Sequence, residues 1–190
     1  MKIEDITEEL RNNLKRKRFV HSLGVAYTAA NLAMRYDYDM NKAYRAGLLH
    51  DCAKELSDSE SIDYCKKYRI KISEAENNTK ALLHAKTGSH MAKNKYKEDD
   101  EEILSAIRWH TTGKSDMTIY EKIVFVADYI EPNREHDPDL PLIRQLAYSD
   151  IDECITKIYE NTINYINGSN KKMDPTTLEA YEYYKNLTQR

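Results

Sequence analysis

Residues 46–51 read Ala46-Gly47-Leu48-Leu49-His50-Asp51, an apolar run that ends in two polar side chains. Together with Ala43, the run has the apolar spacing of a helix that starts at Asn41 and ends at the His-Asp pair. Neighbouring side chains on a regular helix point about 100° apart, but both can turn toward one point where a helix unwinds at its end. A His-Asp dipeptide also arises by chance as a surface cap, so its meaning depends on the rest of the chain.

Helical spacing of apolar residues continues along most of the chain on both sides of this pair. Besides the helix that ends at the pair, it predicts helices over residues 6–14, 19–36, 57–68, 80–96, 99–110, 118–130, 142–148, 151–166 and from 175 onward. Residues 70–78 show no clear pattern, and the proline-containing stretch 132–141 predicts a loop. No alternating strand pattern, internal repeat or glycine-rich phosphate loop is present. We therefore predict an all-α fold.

The composition is that of one helix-rich domain spanning residues 1–190. Of the 190 residues, 41% are hydrophobic and 32% charged, with only 5 Gly and 4 Pro. We expect a core of about residues 18–134, with C-terminal helices of residues 139–188 packing on it. The net charge of −3 provides no global positive field for nucleic acid, so a small anionic ligand would need a local cluster of cations. The basic run at residues 11–18 is interpreted as a solvated helix face.

The sequence predicts no membrane segment and no disulfide. Residues 1–5 lack the apolar core of a signal peptide, and the longest uncharged stretch, residues 19–34, contains several polar side chains. The 3 cysteines are widely spaced and form no Cys-x-x-Cys pair. Reduced thiols and a cytoplasmic location are the simplest expectation.

Several histidines and aspartates emerge from apolar stretches. Burying one of them without a partner would cost several kcal/mol, and a single such histidine is usually a core residue bonded to a backbone carbonyl. Five separate segments with this property are instead typical of an ion cluster inside a helical bundle. Imidazole and carboxylate hold iron, manganese, cobalt or zinc while leaving positions open for water. The expected metal ligands are His21, His50, Asp51, His84, His110 and Asp128.

The two remaining histidines are not expected in the cluster. His90 is six residues beyond His84 and therefore points roughly 120° away from it on a helix. His136 lies in the polar loop and is expected to be solvated, although that loop could close over a ligand.

The spacing of the candidate ligands resembles the HD-domain superfamily of metal-dependent phosphohydrolases, whose pattern is a histidine, a His-Asp pair and a later aspartate. His21, His50-Asp51 and Asp128 fit those positions. The chain is further similar to the bacterial YqeK-type subfamily of symmetrical diadenosine tetraphosphate hydrolases. This similarity is carried by Val20-His21-Ser22-Leu23-Gly24-Val25, His50-Asp51-Cys52-Ala53-Lys54, Leu82-Leu83-His84, Trp109-His110-Thr111-Thr112-Gly113 and Ala127-Asp128-Tyr129-Ile130-Glu131-Pro132-Asn133-Arg134.

The resemblance implies an all-helical phosphohydrolase with one or two transition metal ions, iron being expected and manganese or cobalt acceptable. It implies that one ion is held by His21, His50, Asp51 and Asp128. It also implies that Asp51 bridges to a second ion held by His84 and His110. The implied reaction is hydrolysis at the middle of the tetraphosphate chain, by water that the metal activates, to give two ADP molecules.

The resemblance also suggests which residues bind the substrate. They are Arg18, Lys54, Thr111, Thr112, Gly113, Glu131 and Arg134. Lys54, one turn past Asp51, is the best candidate for a catalytic phosphate contact. For the cations the alternative is ordinary surface charge, and for the Thr-Thr-Gly segment it is a helix end. Glu131 could orient a water or a ribose.

Other functions remain open at this point. After Arg134 the subfamily usually continues with Pro-Gly, whereas residues 135–141 here contain no glycine, so the role of this loop is undecided. Competing functions are a nucleotidase or deoxynucleotide hydrolase, a non-catalytic nucleotide-binding module, and a purely structural helical domain. The 15 tyrosines could line a homodimer surface or stack on a base, and most are expected at the rims of helices.

Overall fold

Two helices, α2 (Arg16–Arg35) and α3 (Met40–Leu49), approach each other closely because small residues face each other. A Cβ atom added at Gly47 would lie 2.9 Å from the Cα atom of Ala26, so any side chain there would displace the backbone of α2. The close approach holds the end of α3, where His50 follows, against the middle of α2.

The computed structural model describes residues 1–135, 137–169 and 172–189. The remaining helices are α1 (Ile3–Asn13), α4 (Asp58–Lys67), α5 (Glu74–Asn78), α6 (Leu83–Asn94), α7 (Glu101–Trp109), α8 (Ile119–Ile130), α9 (Leu140–Ser149), α10 (Ile151–Asn167) and α11 (Pro175–Thr188). A short 3-10 helix over Lys80–Leu82 precedes α6. No β-strand occurs in these three ranges, which confirms the all-α prediction. Among the described helices, none has the length and apolar character that crossing a bilayer requires.

Side-chain caps explain where several helices begin. Ser57 and Glu60 form a capping box at the start of α4, as the sequence predicts. Helix α3 is capped by Asp39, whose carboxylate accepts from the backbone N–H of Asn41. The prediction that Asn41 is the cap is therefore wrong by two residues, because the aspartate accepts the free N–H groups equally well.

Two further boundaries differ from the sequence prediction. Within the stretch that shows no apolar period, Ser73 and Glu76 form a capping box and start the short helix α5. Helix α9 begins at Leu140, two residues earlier than predicted, with Pro141 in its first turn, where proline loses no hydrogen bond. The prediction for His136 lies outside the described residues.

Helix α8 lies at the centre of the core and contacts α2, α3, α7, α9 and α10. Its side chains Ile123, Val124 and Val126 are fully buried, and burying each contributes roughly 1.5–3 kcal/mol. The C-terminal helices pack on the same core, since Tyr159 of α10 and Tyr184 of α11 belong to the same cluster of buried side chains. Polar groups on α8 therefore have a rigid support.

Candidate metal centre and active site

Four histidines and two aspartates converge near the ends of helices. His50 follows directly on α3 and His110 directly on α7, while His84 lies in the first turn of α6. His21 lies in the second turn of α2, and Asp128 lies near the end of α8. With Asp51, these residues form what we call the His/Asp cluster, namely His21, His50, Asp51, His84, His110 and Asp128.

Asp51 lies between two pairs of imidazoles. Its Oδ1 atom is 3.3 Å from Nε2 of His84 and 3.6 Å from Nε2 of His110. Its Oδ2 atom is 3.4 Å from Nε2 of His50 and 3.8 Å from Nε2 of His21. The Nε2 atoms are 3.0 Å apart in the first pair and 3.2 Å apart in the second. Asp51 is thus the residue that both pairs share.

Asp128 completes the cluster on one side. Its Oδ1 atom is 3.1 Å from Nε2 of His21 and 3.9 Å from Nε2 of His50. Its carboxylate also lies within 4.8 Å of a ligand nitrogen of His110. The two aspartates therefore face the pair of His21 and His50 from different segments of the chain.

The Nδ1 atom of every histidine in the cluster has a partner that only accepts hydrogen bonds. In His50, His84 and His110 it donates to the carbonyl oxygen three residues earlier, at 2.6, 2.5 and 2.8 Å. In His21 it lies 3.2 Å from Oε1 of Glu131. Since carbonyl and carboxylate oxygens accept, the proton is on Nδ1 and each Nε2 atom directs a lone pair into the cluster.

The cluster fits a metal ion. Asp51 is 2% exposed, and its Oδ1 atom has no hydrogen-bond partner within the described part of the chain, although two imidazole lone pairs lie close to it. A buried carboxylate oxygen without a hydrogen-bond donor is unfavourable unless a cation lies beside it. The cluster contains three overlapping sets of three residues, and within each set the ligand atoms lie within 4.8 Å of one another. Imidazole nitrogen with carboxylate oxygen is a typical donor set for transition metals.

The electrostatics keep these groups in the protonation states that metal binding requires. Burial alone would raise the pKa of Asp51, but the surrounding imidazoles, His50 foremost, hold it well below its usual range. The pKa of Asp128 is also lowered, because its contact with His21 and the nearby His50, His110 and Arg134 together outweigh the effect of burial. Burial and the adjacent His110 lower the pKa of His84 to about 3, so this imidazole is neutral near pH 7.

Three of the predicted cations contact the cluster. The Nη1 atom of Arg18 is 2.5 Å from Oδ2 of Asp51, and the Nη2 atom of Arg134 is 2.8 Å from Oδ1 of Asp128. The Nζ atom of Lys54 is 3.9 Å from Oδ1 of Asp51, and burial lowers the pKa of this amine. All three cations therefore lie beside carboxylates of the cluster, and their contact with substrate stays a prediction.

The Thr-Thr-Gly segment divides into two parts. Thr111 reaches the cluster, with its Oγ1 atom 3.0 Å from Nε2 of His110. Thr112 and Gly113 lie behind it, where the hydroxyl of Tyr159 donates to the Thr112 carbonyl at 3.1 Å. Gly113 has φ +60°, and a Cβ atom there would overlap the Tyr159 hydroxyl. These two residues anchor the loop that carries Thr111, and their predicted contact with substrate stays a prediction.

A large open cavity of about 1660 Å³ extends outward from the cluster. Its wall includes His21, His110, Asp128, Thr111 and the cations Lys15, Arg16, Lys17, Arg18, Lys54 and Arg134. The N-terminal basic run, interpreted from the sequence as a solvated face, thus contributes four cations to the cavity. The sequence feature that could have indicated this role is the position of the basic run shortly before His21. A site of this size exceeds the usual 300–1,000 Å³ of small-ligand pockets and suits a long anionic ligand.

His90 lies outside the His/Asp cluster, as the sequence predicts. His90 contacts the hydroxyl of Tyr64 at 3.0 Å, on the far side of α6 from the cluster.

Glu131 is 1% exposed, and its carboxylate contacts His21. No periodic pattern in the sequence indicates that contact, because it joins α2 to the turn after α8.

An all-helical fold with four histidines and two aspartates around a buried centre defines a class of helical metal-binding proteins. The family model described as "HD domain" matches residues 18–133, and the chain belongs to this metal-dependent family. That range contains all six members of the His/Asp cluster.

Known proteins resemble the chain along nearly its whole length. It is 33% identical to a protein of Bacillus subtilis named "Bis(5'-nucleosyl)-tetraphosphatase, symmetrical", covering 96% of this chain and 97% of that protein. It is 35% identical to a protein of the same name from Halalkalibacterium halodurans, covering 90% and 91%. A crystal structure of a predicted HD superfamily hydrolase involved in NAD metabolism from Clostridium acetobutylicum matches with a TM-score of 0.94 and 37% identity, covering 100% and 99%.

Proposed function

We propose that the protein is a metal-dependent hydrolase that cleaves diadenosine tetraphosphate symmetrically into two ADP molecules. The observation that carries the proposal is the match over more than nine-tenths of both chains with enzymes of that name. The His/Asp cluster at the base of a cation-lined cavity supports it independently, since it offers both a metal centre and a path for a polyphosphate.

The cluster can hold one or two transition metal ions. We propose that His21, His50, Asp51 and Asp128 would hold one ion. Asp51, His84 and His110, whose ligand atoms lie within 4.8 Å of one another, would hold a second. We propose iron as the resident metal, with manganese or cobalt as substitutes, because mixed imidazole and carboxylate donors suit all three. When bound, such an ion lowers the pKa of coordinated water toward neutrality and neutralises charge on a phosphoryl group.

The residues around the centre position a tetraphosphate for attack at one of its two inner phosphorus atoms. Arg18 and Arg134 present guanidinium groups that can bind phosphoryl oxygens at two points, and Lys54 offers a third cation beside the centre. Hydrolysis consumes one water molecule, whose oxygen joins the attacked phosphorus while the central P–O bond breaks. Cleavage there releases two identical products, each a nucleoside diphosphate.

One part of the cavity wall carries carboxylates and is suited to a nucleoside rather than to phosphate. Asp137 and Asp139 lie there, and the side-chain amide of Asn161 donates to both carboxylates, at 3.1 and 3.2 Å. Carboxylates repel phosphate but accept hydrogen bonds from ribose hydroxyls and from the amino group of adenine. We propose that one adenosine lies along this wall, which includes part of the loop of residues 135–141.

The first test is the pattern of products. With diadenosine tetraphosphate as substrate, ADP is expected as the sole early product, and in water labelled with ¹⁸O one label should enter one of each two ADP molecules. Chromatography and mass spectrometry of early time points measure both quantities. ATP and dGTP serve as alternative substrates. NAD is included because a solved relative is described as involved in NAD metabolism. Early ATP plus AMP, or faster cleavage of NAD, would reject the symmetrical reaction.

Replacing Arg18 by glutamine should weaken substrate binding. A charge-assisted hydrogen bond contributes about 1.5–3 kcal/mol, so kcat/KM should fall roughly 10- to 100-fold, mainly through KM. Lys66→Gln is the control, because Lys66 is exposed on α4 and pairs only with Asp63 of the same helix in the contacts that the structure gives. Steady-state kinetics and metal content are measured together. An unchanged KM, or a loss of metal that accounts for the loss of rate, would contradict a phosphate contact.

A further inference from the structure

The four histidines of the cluster are not held in the same way. His50, His84 and His110 each donate from Nδ1 to a backbone carbonyl of the preceding helical turn. Their orientation is therefore set by their own segment of chain. His21 differs, because the partner of its Nδ1 atom is the carboxylate of Glu131, from the turn after α8. Its orientation depends on a side chain that comes from a distant part of the sequence.

The carboxylate of Glu131 is itself held firmly. Its Oε2 atom accepts hydrogen bonds from the backbone N–H and the side-chain amide of Asn133, at 2.9 and 2.8 Å. This leaves Oε1 directed at Nδ1 of His21, 3.2 Å away. The side chain is 1% exposed, so little water competes for these contacts. Both oxygens therefore contact protein groups that hold the carboxylate in place.

Gly24 makes the space that this carboxylate occupies. A Cβ atom added at Gly24 would lie well inside van der Waals contact of Oε2 of Glu131, and 3.3 Å from Nδ2 of Asn133. The atoms it would meet are side-chain atoms and not backbone. An alanine at this position would therefore displace the carboxylate and leave the two helices where they are.

We propose that Glu131 is a positioning residue that fixes the tautomer and the direction of His21, so that its Nε2 lone pair points at the metal. An ionised carboxylate on Nδ1 also makes the imidazole a stronger donor than a neutral carbonyl does. The inference rests on the proposed function only in treating the His/Asp cluster as a metal centre. It replaces the expectation that Glu131 binds substrate, and it adds Gly24 as the residue that admits Glu131.

The test measures the binding of Co²⁺ alone, without substrate, by competition with a chelator. Glu131→Gln removes the charge of the carboxylate with little change in shape, and Gly24→Ala displaces the carboxylate. A double variant combines Gly24→Ala with Glu131→Ala, in which no carboxylate is present. Glu101→Gln is the matched control, because this carboxylate lies at the start of α7 and is 76% exposed. The visible absorption of bound Co²⁺ reports changes in ligand geometry that a loss of stability alone would not produce. Circular dichroism monitors the fold.

Glu131→Gln and Gly24→Ala should each weaken Co²⁺ binding about 10- to 100-fold and alter its visible spectrum, whereas Glu101→Gln should do neither. In the Glu131→Ala background, Gly24→Ala should cause no further loss, because no carboxylate remains to be displaced. Since alanine is a better helix former than glycine, α2 should not be weakened by this change. The proposal is overturned if both single variants bind Co²⁺ as the unaltered protein does, or if the two losses simply multiply. Should Glu131→Gln fail to fold, Gly24→Ala decides the question by itself.

Discussion

Asp51→Asn should abolish hydrolysis and prevent the protein from retaining metal. Asparagine keeps the size of the side chain but replaces the charged oxygens that lie between the two pairs of imidazoles. A bound metal contributes several kcal/mol to the transition state, and each 1.36 kcal/mol corresponds to a tenfold change in rate, so a loss of roughly a thousandfold is expected. Release of ADP from diadenosine tetraphosphate and elemental analysis of the purified protein measure the two effects.

The matched control for this change is Asp63→Asn on α4, where the carboxylate is 76% exposed and far from the cluster. It should leave both turnover and metal content at the level of the unaltered protein. An Asp51→Asn protein that keeps its metal and cleaves substrate at more than a tenth of the normal rate would remove Asp51 from the centre of the mechanism.

Metal binding should also raise the melting temperature strongly. At a free metal concentration 1,000 times the dissociation constant, binding to the native state alone stabilises it by about 4.1 kcal/mol. For a domain of this size each kcal/mol shifts the melting temperature by about 2–4 °C, so a rise of about 8–16 °C is expected. Calorimetry of the chelator-treated protein, before and after addition of Mn²⁺ or Co²⁺, measures the shift.

The same titration on Asp51→Asn supplies the contrast. That variant lacks the residue shared by both positions in the cluster, so its melting temperature should respond little to the same metal concentrations. A rise of equal size in both proteins would place the stabilising ion somewhere other than the His/Asp cluster.

Most of the fold could be predicted because its helices have strong local signals. Helix α8 combines a capping box at Thr118 with an unbroken apolar face, and both lie within one short stretch of sequence. Helix α5 could not be predicted in this way, since it is only five residues long and has no apolar period. The end of α10 shows the same limit, since the helix is predicted to end at residue 166 and ends at Asn167. Gly168 follows with φ −80°, not in the left-handed conformation that often favours glycine at a helix end.

The candidate ligands could be picked out because each polar group emerges from an apolar segment. Their convergence depends on tertiary packing, and sequence periodicity does not give the distances between side chains on different helices. The contact between His21 and Glu131 shows why: the two residues are 110 positions apart, and their meeting depends on how α2 and α8 lie against each other. The sequence predicts a solvated face for the basic run, and its members Lys15, Arg16 and Lys17 are exposed. That they also line the cavity depends on tertiary packing, since a solvated face and the wall of an open cavity have the same composition.

An ion held by His21, Asp51 and Asp128 would act as a cross-link between regions that lie far apart along the chain. Closing such large loops restricts the unfolded chain, much as a covalent bridge does. Opening of any one ligand-bearing helix would then require release of the ion, so amide protons in α2, α3 and α8 should exchange together rather than helix by helix. Cys52, Cys65 and Cys154 form no disulfide in this structure, so a chelator, and not a reductant, should release this cross-link.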